Sequence, residues 1–315
     1  MTVVSRSGLA RQPVAKCRDS KTIRALLAEG AAMFEKARIS YGHGTNNAWD
    51  EAAWLILYAL RLPLGDLDSC LDRVLSESQC KAARSLLERR VRTRAPAAYL
   101  TREAWLGEKR FYVDERVIVP RSFIAELLRK REDPFALGRA RFAPKRVLDL
   151  CTGSGCLAIL LALRFPSAEV DAVDLSADAL AVARKNVAAY GLRRRIRLVQ
   201  SDLFEALGAR TYDLIVSNPP YVNASSMRSL PEEYRKEPRM ALASGTDGLD
   251  HTRIILAQAR AHLKTGAALV VEVGHNRTAL EKSFPHLKFK WPNTRAGKGF
   301  VFALRRDEIR APEAK

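Results

Sequence analysis

From Arg146 to Leu304, short apolar runs alternate with longer segments of helical periodicity, and this alternation restricts the fold more than any other feature of the chain. Residues 147–150, 170–174, 197–200, 214–217, 268–273 and 300–304 read as strands, and 156–164, 177–190 and 249–263 as helices. A strand followed by a helix and another strand makes a parallel pair, because the crossover must return over a face of the sheet. The fold class expected is therefore α/β: a doubly wound, mostly parallel sheet with helices on both faces. Sheets of this kind bind ligands outside the carboxyl ends of their strands.

Upstream the rhythm differs. Ile23, Leu26, Leu27 and Ala31 recur at helical spacing, residues 49–60 are strongly apolar, and Ala82, Leu86 and Leu87 mark another helix. Pro63 and Pro96 punctuate this region. The expected organisation is a loose basic leader over 1–18, a smaller helical domain over 19–102, and a strand pair with linker over 103–145. A cofactor-binding catalytic domain follows over 146–309, then a tail over 310–315. Within the linker, 105–107, 111–113 and 117–119 read as short strands, 123–128 as a short helix, and 132–145 as a polar connection. Trp49, Trp54 and Tyr58 are expected in the helix core. His43, between Gly42 and Gly44, is expected to be structural.

The 315 residues carry 53 Lys+Arg against 35 Asp+Glu, a net charge of +18 spread over both halves. That balance favours contact with a polyanion, RNA first among them, and the basic run at 193–197 is a candidate for it. Five cysteines with no C-x-x-C pair give neither a zinc site nor a disulfide framework, so no metal is expected and a reducing, cytoplasmic setting is. No apolar run approaches the ~20 residues of a membrane span.

Asp149-Leu150-Cys151-Thr152-Gly153-Ser154-Gly155 joins a buried strand to a helix through a tight glycine turn. Glycine admits the unusual dihedrals and lets backbone approach a ligand closely. Ala158 stands where a dinucleotide fingerprint needs its third glycine, and no Gly-Lys-Ser/Thr follows to make a phosphate loop. The next strand ends on Asp174, a carboxylate placed to accept two ribose hydroxyls; Ser176 is the better cap for the following helix. The strand after that ends at Ser201-Asp202, within reach of an adenine amino group. Acids at successive strand ends, beside a glycine turn without phosphate chemistry, suit a nucleoside lacking phosphates, and S-adenosylmethionine is such a ligand.

The strand 214–217 runs into Asn218-Pro219-Pro220-Tyr221. Two prolines fix two φ angles and hold the preceding residue extended. An amide or exocyclic amine nitrogen is a poor nucleophile because its lone pair is delocalised. The Asn218 side-chain oxygen and the Pro219 carbonyl are two acceptors suited to its two N–H groups. They pin the nitrogen and favour the positive charge that develops during methyl transfer. Tyr221 is suited to stack on the planar group. The same logic serves an adenine N(6)-methyltransferase acting on DNA or RNA, which remains an alternative, as does a non-catalytic RNA-binding ribosome-assembly factor.

The glycine turn, Asp174 and the 218–221 turn, in this order, resemble the HemK-type N(5)-glutamine methyltransferases. A helical N-terminal region and Val119-Pro120-Arg121 add to the likeness, which covers roughly residues 20–305. Residues 41–52, 112–117, 232–235 and 243–249 are similar to the branch that methylates a glutamine of the third large-subunit ribosomal protein. The release-factor branch carries Pro-Arg-Pro-Glu-Thr-Glu where this chain has Pro120-Arg121-Ser122-Phe123-Ile124-Ala125, and commonly a Trp where Leu203 stands. A local departure is Gly297-Lys298-Gly299, where an acid is expected between the glycines. The resemblance implies a Rossmann-like class I S-adenosylmethionine methyltransferase. It implies cofactor contacts at Cys151, Thr152, Gly153, Ser154, Gly155, Asp174, Leu203 and Asn218, and glutamine binding by Asn218, Pro219, Pro220 and Tyr221. It also implies that the N-terminal domain grips the protein substrate.

Overall fold

The computed structural model describes residues 21–130, 134–135, 137–138 and 142–309. The leader expected over 1–18, the tail over 310–315 and parts of the 132–145 connection lie outside these. The chain divides into two compact units, Met1–Glu108 with Pro231–Lys236, and Lys109–Leu230 with Glu237–Lys315.

The first unit is built from α1 (Ile23–Lys36), α2 (Ala48–Ala59), α3 (Leu67–Cys70), α4 (Glu77–Thr93), α5 (Ala97–Thr101) and the strand β1 (Glu103–Leu106). Each long helix starts on a side-chain cap that satisfies a first-turn amide. Thr22 caps α1, Asn47 caps α2, and Ser76 with Gln79 forms a capping box on α4. The apolar stripe Ile23, Leu26, Leu27 and Phe34 of α1 is buried, as are Leu55, Ile56, Leu57 and Leu87 from α2 and α4. Trp54 joins this core at 5% exposure, but Trp49 and Tyr58 are each 40% exposed, against the expectation. Along α2 the inward stripe is already filled by Ala52, Ala53, Leu55 and Ile56, so the two large rings face outward.

The unit is not contiguous in sequence. Pro231–Lys236 belongs to it: Glu233 accepts from Arg94 Nη1 at 2.9 Å, and Tyr234 donates to the Tyr41 carbonyl at 3.3 Å. His43 is buried with its ring 4.2 Å from that of Tyr234, in the structural role expected.

The second unit opens with β2 (Lys109–Tyr112) and α6 (Phe123–Leu128), the latter with the bounds expected. Residues 117–119 do not form the strand expected there; the Val119 amide is taken instead by a glutamate side chain, Glu237 Oε1, at 2.8 Å. Then follow β3 (Arg146–Leu150), α7 (Cys156–Arg164), β4 (Glu169–Asp174), α8 (Ala177–Ala189), β5 (Ile196–Gln200), β6 (Tyr212–Ser217), α9 (Ala224–Arg228), α10 (Asp250–His262), β7 (Leu263–Glu272), α11 (Arg277–Ser283) and β8 (Val301–Arg305). The sheet order is β5-β4-β3-β6-β7-β8. All pairs are parallel except β7 with β8. β3, β6, β8 and the second half of β7 are buried on both faces, as their apolar runs require, while the edge strand β5 is half exposed.

The order winds one way from β3 through β4 to β5, and the other way from β6 to β7, so the topological switch point lies between β3 and β6. A crevice opens outside the carboxyl ends of the strands at such a point. The register then lines up the loops. Leu150 pairs with both Ser217 and Val173, and Asp174 pairs with Gln200. Cys151, Asn218, Asp174 and Ser201, each at or just past a strand end, are thereby brought to one edge of the sheet.

Candidate active site

At that edge lies a pocket enclosing roughly 960 Å³, open solvent included. Its wall includes Cys151, Thr152, Gly153, Ser154, Asp174, Ser201, Asp202, Leu203, Asn218 and Pro220. Ten of the residues singled out in the sequence, or neighbours of them, thus converge from four loops. Backbone bonds lock the loops together: Thr152 N donates to the Val173 carbonyl at 2.9 Å and Ser201 N to the Asp174 carbonyl at 3.0 Å. The Ser217 hydroxyl donates to the Leu150 carbonyl at 3.0 Å.

The glycine turn behaves as its composition requires. Gly153 has φ +55° and nothing within 4 Å of where a Cβ would stand, so the backbone itself is the pocket wall. Cys151 and Leu203 are the non-glycine residues of this unit held at positive φ (58° and 45°), among the described residues, and both line the pocket. Strain of this kind costs ~1–3 kcal/mol and persists where the surroundings enforce it.

Asp174 accepts from Gly153 N at 2.8 Å and from Ser176 N at 2.9 Å, one bond to each oxygen, so the carboxylate is fixed in direction with lone pairs to spare. Burial raises its pKa, and the two amides pull it back. Ser176 caps α8 by accepting from Ala179 N, leaving Asp174 for the pocket. Arg116 and Arg121 also line the wall, but each is paired. Arg116 is bound to Asp114, whose carboxyl it holds down at about 2, and Arg121 is bound to Glu237. Asp174 and Asp202 are the carboxylates of the wall. Burial pushes the Cys151 thiol up, and the Cys156 thiol up to about 12. Both stay protonated, which makes them poor nucleophiles.

The decisive geometry is at Asn218. Its Nδ2 donates to the backbone carbonyl of Arg121 at 3.3 Å. That bond fixes which end of the amide is which, and the other end, Oδ1, is buried with no partner. A buried acceptor without a donor costs ~1–3 kcal/mol and calls for an explanation. A water or a ligand N–H would each supply that donor to Oδ1. The turn that carries it is braced from behind. Asn276 Nδ2 donates to the Tyr221 carbonyl at 2.7 Å, and the Tyr221 hydroxyl lies 3.4 Å from Glu272 Oε1. A Cβ on Gly274 would come within 2.7 Å of the Tyr221 ring, so only glycine admits the ring there.

Other expected residues stand elsewhere. Pro219, Tyr221 and Gly155 are not in the pocket wall; Gly155 packs against Ala183. Asp149 is fully buried behind the turn, where it accepts from the Thr152 hydroxyl at 2.6 Å. Its contribution is to hold the loop. Sequence reasoning missed Ser122, Pro238, Met240, Ala241 and His251 in the wall, and the two buried glutamates Glu237 and Glu272 beside it. No local pattern marks them; the signal nearest to one was Val119-Pro120-Arg121, noted only for its likeness.

Burial also raises the Asp149 carboxyl from 3.8 to about 7, with the Thr152 hydroxyl pulling the other way. The folded state then binds this proton more tightly than the unfolded chain does. The stabilisation is complete below the ordinary carboxylate range and is lost as pH rises through about 7. Asp149→Asn is expected to flatten the fall in stability between pH 4 and 7, measured by urea melts across that range. An unchanged slope would place the titration elsewhere, with Glu272, also raised to about 7 by burial, the next group to replace.

This fold and pocket define a doubly wound methyltransferase. Residues 137–247 match the Methyltransferase small domain, and residues 25–101 the PrmC N-terminal domain. The chain is 53% identical to the ribosomal protein uL3 glutamine methyltransferase of Neisseria meningitidis serogroup B, over 93% of this chain and 95% of that one. It is 51% identical to those of Burkholderia pseudomallei and Bordetella pertussis, each over 92% of this chain and 96% of the other. The chain belongs to the ribosomal protein uL3 glutamine methyltransferase family. Neither the adenine methyltransferase nor the non-catalytic assembly factor is favoured by any of these likenesses. Among the described residues no helix is long and apolar enough to cross a membrane, and no group of side chains is arranged to hold a metal ion.

Proposed function

We propose that this chain transfers a methyl group from S-adenosylmethionine to the side-chain amide nitrogen of a glutamine in the third large-subunit ribosomal protein, uL3. The observation that carries the reading is the buried, partnerless Asn218 Oδ1 in the wall of the switch-point pocket. A glutamine amide presents two N–H groups. Asn218 Oδ1 takes one, and the Pro219 carbonyl, next in the turn though outside the pocket wall, is the second acceptor proposed. Held in this way the nitrogen cannot rotate, and the charge it gains on attack is stabilised where it forms.

The residues present fit the cofactor. Asp174 is directed to take ribose hydroxyls, Asp202 and Leu203 face the adenine side, and residues 151–155 supply a backbone wall. When bound, the cofactor supplies an activated methyl group by direct displacement, so the protein needs neither a metal nor a covalent intermediate. No strong general base is required: the amide loses its proton during or after attack.

The first unit is the proposed grip on uL3, and ribosomal RNA is a proposed further contact. Between Asp178 and Asp202 the chain holds six basic residues and no acid. Of these Arg184, Lys185, Arg193, Arg194 and Arg197 are exposed. Purified uL3 incubated with the enzyme and methyl-labelled cofactor should gain one methyl group on one glutamine by mass spectrometry; label in nucleic acid alone would reject the reading. The same assay on precursor ribosomal particles across a salt series tests the RNA contact. Counterion release makes that binding fall steeply with salt, and a flat response would remove it.

A further inference from the structure

Asn218 points its oxygen into the pocket because its nitrogen is held by one backbone carbonyl, that of Arg121. What holds that carbonyl is therefore part of how the site works. Residues 119–123 form a strap with no regular backbone pairing up to the start of α6. Two buried carboxylates grip it, one on each side of Arg121.

Before Arg121, Glu237 Oε1 accepts from Val119 N at 2.8 Å and from Arg121 Nη1 at 2.6 Å, and Oε2 accepts from Arg121 Nη2 at 2.6 Å. This is a two-pronged guanidinium–carboxylate pair, the most directional ion pair available to a protein, and the Glu237 side chain is fully buried. Arg121 Nη1 also donates back to the Val119 carbonyl at 3.2 Å. After Arg121, Glu272 Oε2 accepts from the Ser122 hydroxyl at 2.6 Å and from Phe123 N at 2.9 Å. Glu272 sits at the carboxyl end of β7, and its other oxygen faces the Tyr221 hydroxyl. Pro120 fixes one φ inside the strap. The carbonyl that orients Asn218 is thus clamped from two directions by groups that themselves have little freedom.

We propose that Glu237 and Glu272 are positioning residues for methyl transfer, acting through the 119–123 strap and the Arg121 carbonyl to fix the direction of the Asn218 amide. The inference rests on the reading of Asn218 as the acceptor of the substrate amide. It also assigns a use to Ser122, the first of the positions in this segment at which the chain departs from the release-factor branch. A hydroxyl there makes the short bond to Glu272, which a proline has no group to make.

The test is a double-mutant cycle on the full chain with uL3 as substrate. Glu237→Gln and Glu272→Gln are each made in the native chain and in Asn218→Ala. For each protein kcat is measured, together with S-adenosylmethionine affinity by calorimetry. The expected result is a loss in kcat of roughly 10- to 100-fold with cofactor affinity unchanged, the scale of a misplacement near 1 Å, and no further loss when Asn218 is already alanine. Contacting groups that act through one another are non-additive in this way. An undiminished kcat overturns the proposal. So does an equal loss in the Asn218→Ala background, which marks a general effect on the fold. Should either glutamine variant fail to fold, Arg121→Lys breaks the forked pair and Ser122→Ala removes the short bond to Glu272, and the same two outcomes decide. Near-normal turnover by Asn218→Ala alone is a separate result, and it would overturn the acceptor reading itself.

Discussion

Asn218→Ala is expected to lower kcat for uL3 methylation by about 100-fold or more while S-adenosylmethionine still binds with native affinity. A factor of 100 is about 2.7 kcal/mol of transition-state stabilisation, the range found when one preorganised hydrogen-bonding group is removed from a site that stabilises developing charge. The separation of the two measurements follows from the geometry. The groups assigned to the nucleoside, Asp174 and the 151–155 backbone, are anchored by their own bonds to Gly153, Ser176 and Val173 and owe nothing to Asn218. Truncation at 218 leaves the brace behind the turn intact too, because Asn276 holds the Tyr221 carbonyl and not the side chain that is lost. Asn218→Asp sharpens the test. It keeps an acceptor oxygen, but it turns a second oxygen towards the Arg121 carbonyl, where the native amide donates. If an acceptor alone were sufficient, aspartate would restore activity. The expectation is that it does not, since the orientation depends on that donated bond. Rates and calorimetry on the two variants separate loss of the acceptor from loss of its aim.

The sheet was legible because its central strands are buried on both faces and so read as continuous apolar runs, and because each run ends on polar or turn-forming residues. Cys151-Thr152-Gly153, Asp174 and Asn218-Pro219-Pro220 announce strand ends by chemistry, and parallel register then forces those ends together. What no local pattern contains is the response of one segment to another far away in sequence. Residues 117–119 have strand composition, yet the Val119 amide is taken by Glu237, which stands 118 residues further on. Glu237 itself reads as one more charged residue in a polar loop. Tyr221 has the composition of a stacking ring, but Gly274 leaves a space that admits it, and the hydroxyl settles towards buried Glu272. The return of Pro231–Lys236 to the helical unit is of the same kind. It depends on Arg94, at the end of α4, donating to a glutamate more than a hundred residues away, with the buried Arg90 of α4 beside it.

That arginine is where the largest loss of stability is expected. Arg90 is wholly buried on α4. Its Nε donates to Glu51 Oε1 at 2.6 Å, its Nη2 to the Ser40 carbonyl at 3.2 Å, and its Nη1 lies 3.6 Å from Glu233 Oε1. Glu51 and Glu233 are themselves 1% exposed. Glu51 keeps a bond from the Thr45 hydroxyl at 2.6 Å, and Glu233 keeps one from Arg94. Removing one partner from a buried ion pair leaves the other charge only partly compensated, at a cost of about 3–5 kcal/mol. Arg90→Met is the cleaner form of the experiment, since it fills much of the volume and isolates the charge. It is expected to destabilise the first unit by about that amount, with denaturation followed by fluorescence of Trp49, Trp54 and Trp105, which all lie in this unit. The companion variant Arg90→Met with Glu51→Gln decides the cause. Replacing both partners removes the stranded charge, so a large part of the loss should return. If the double variant is no more stable than Arg90→Met, the arginine stabilises the unit through its bond to the Ser40 carbonyl and its packing, and the ion pair with Glu51 contributes little. Thr45 and Glu51 both fall within 41–52, which with 232–235 is one of the stretches of this unit similar to the ribosomal-protein branch. By this argument its likeness records a buried charge network that holds Pro231–Lys236 in the unit.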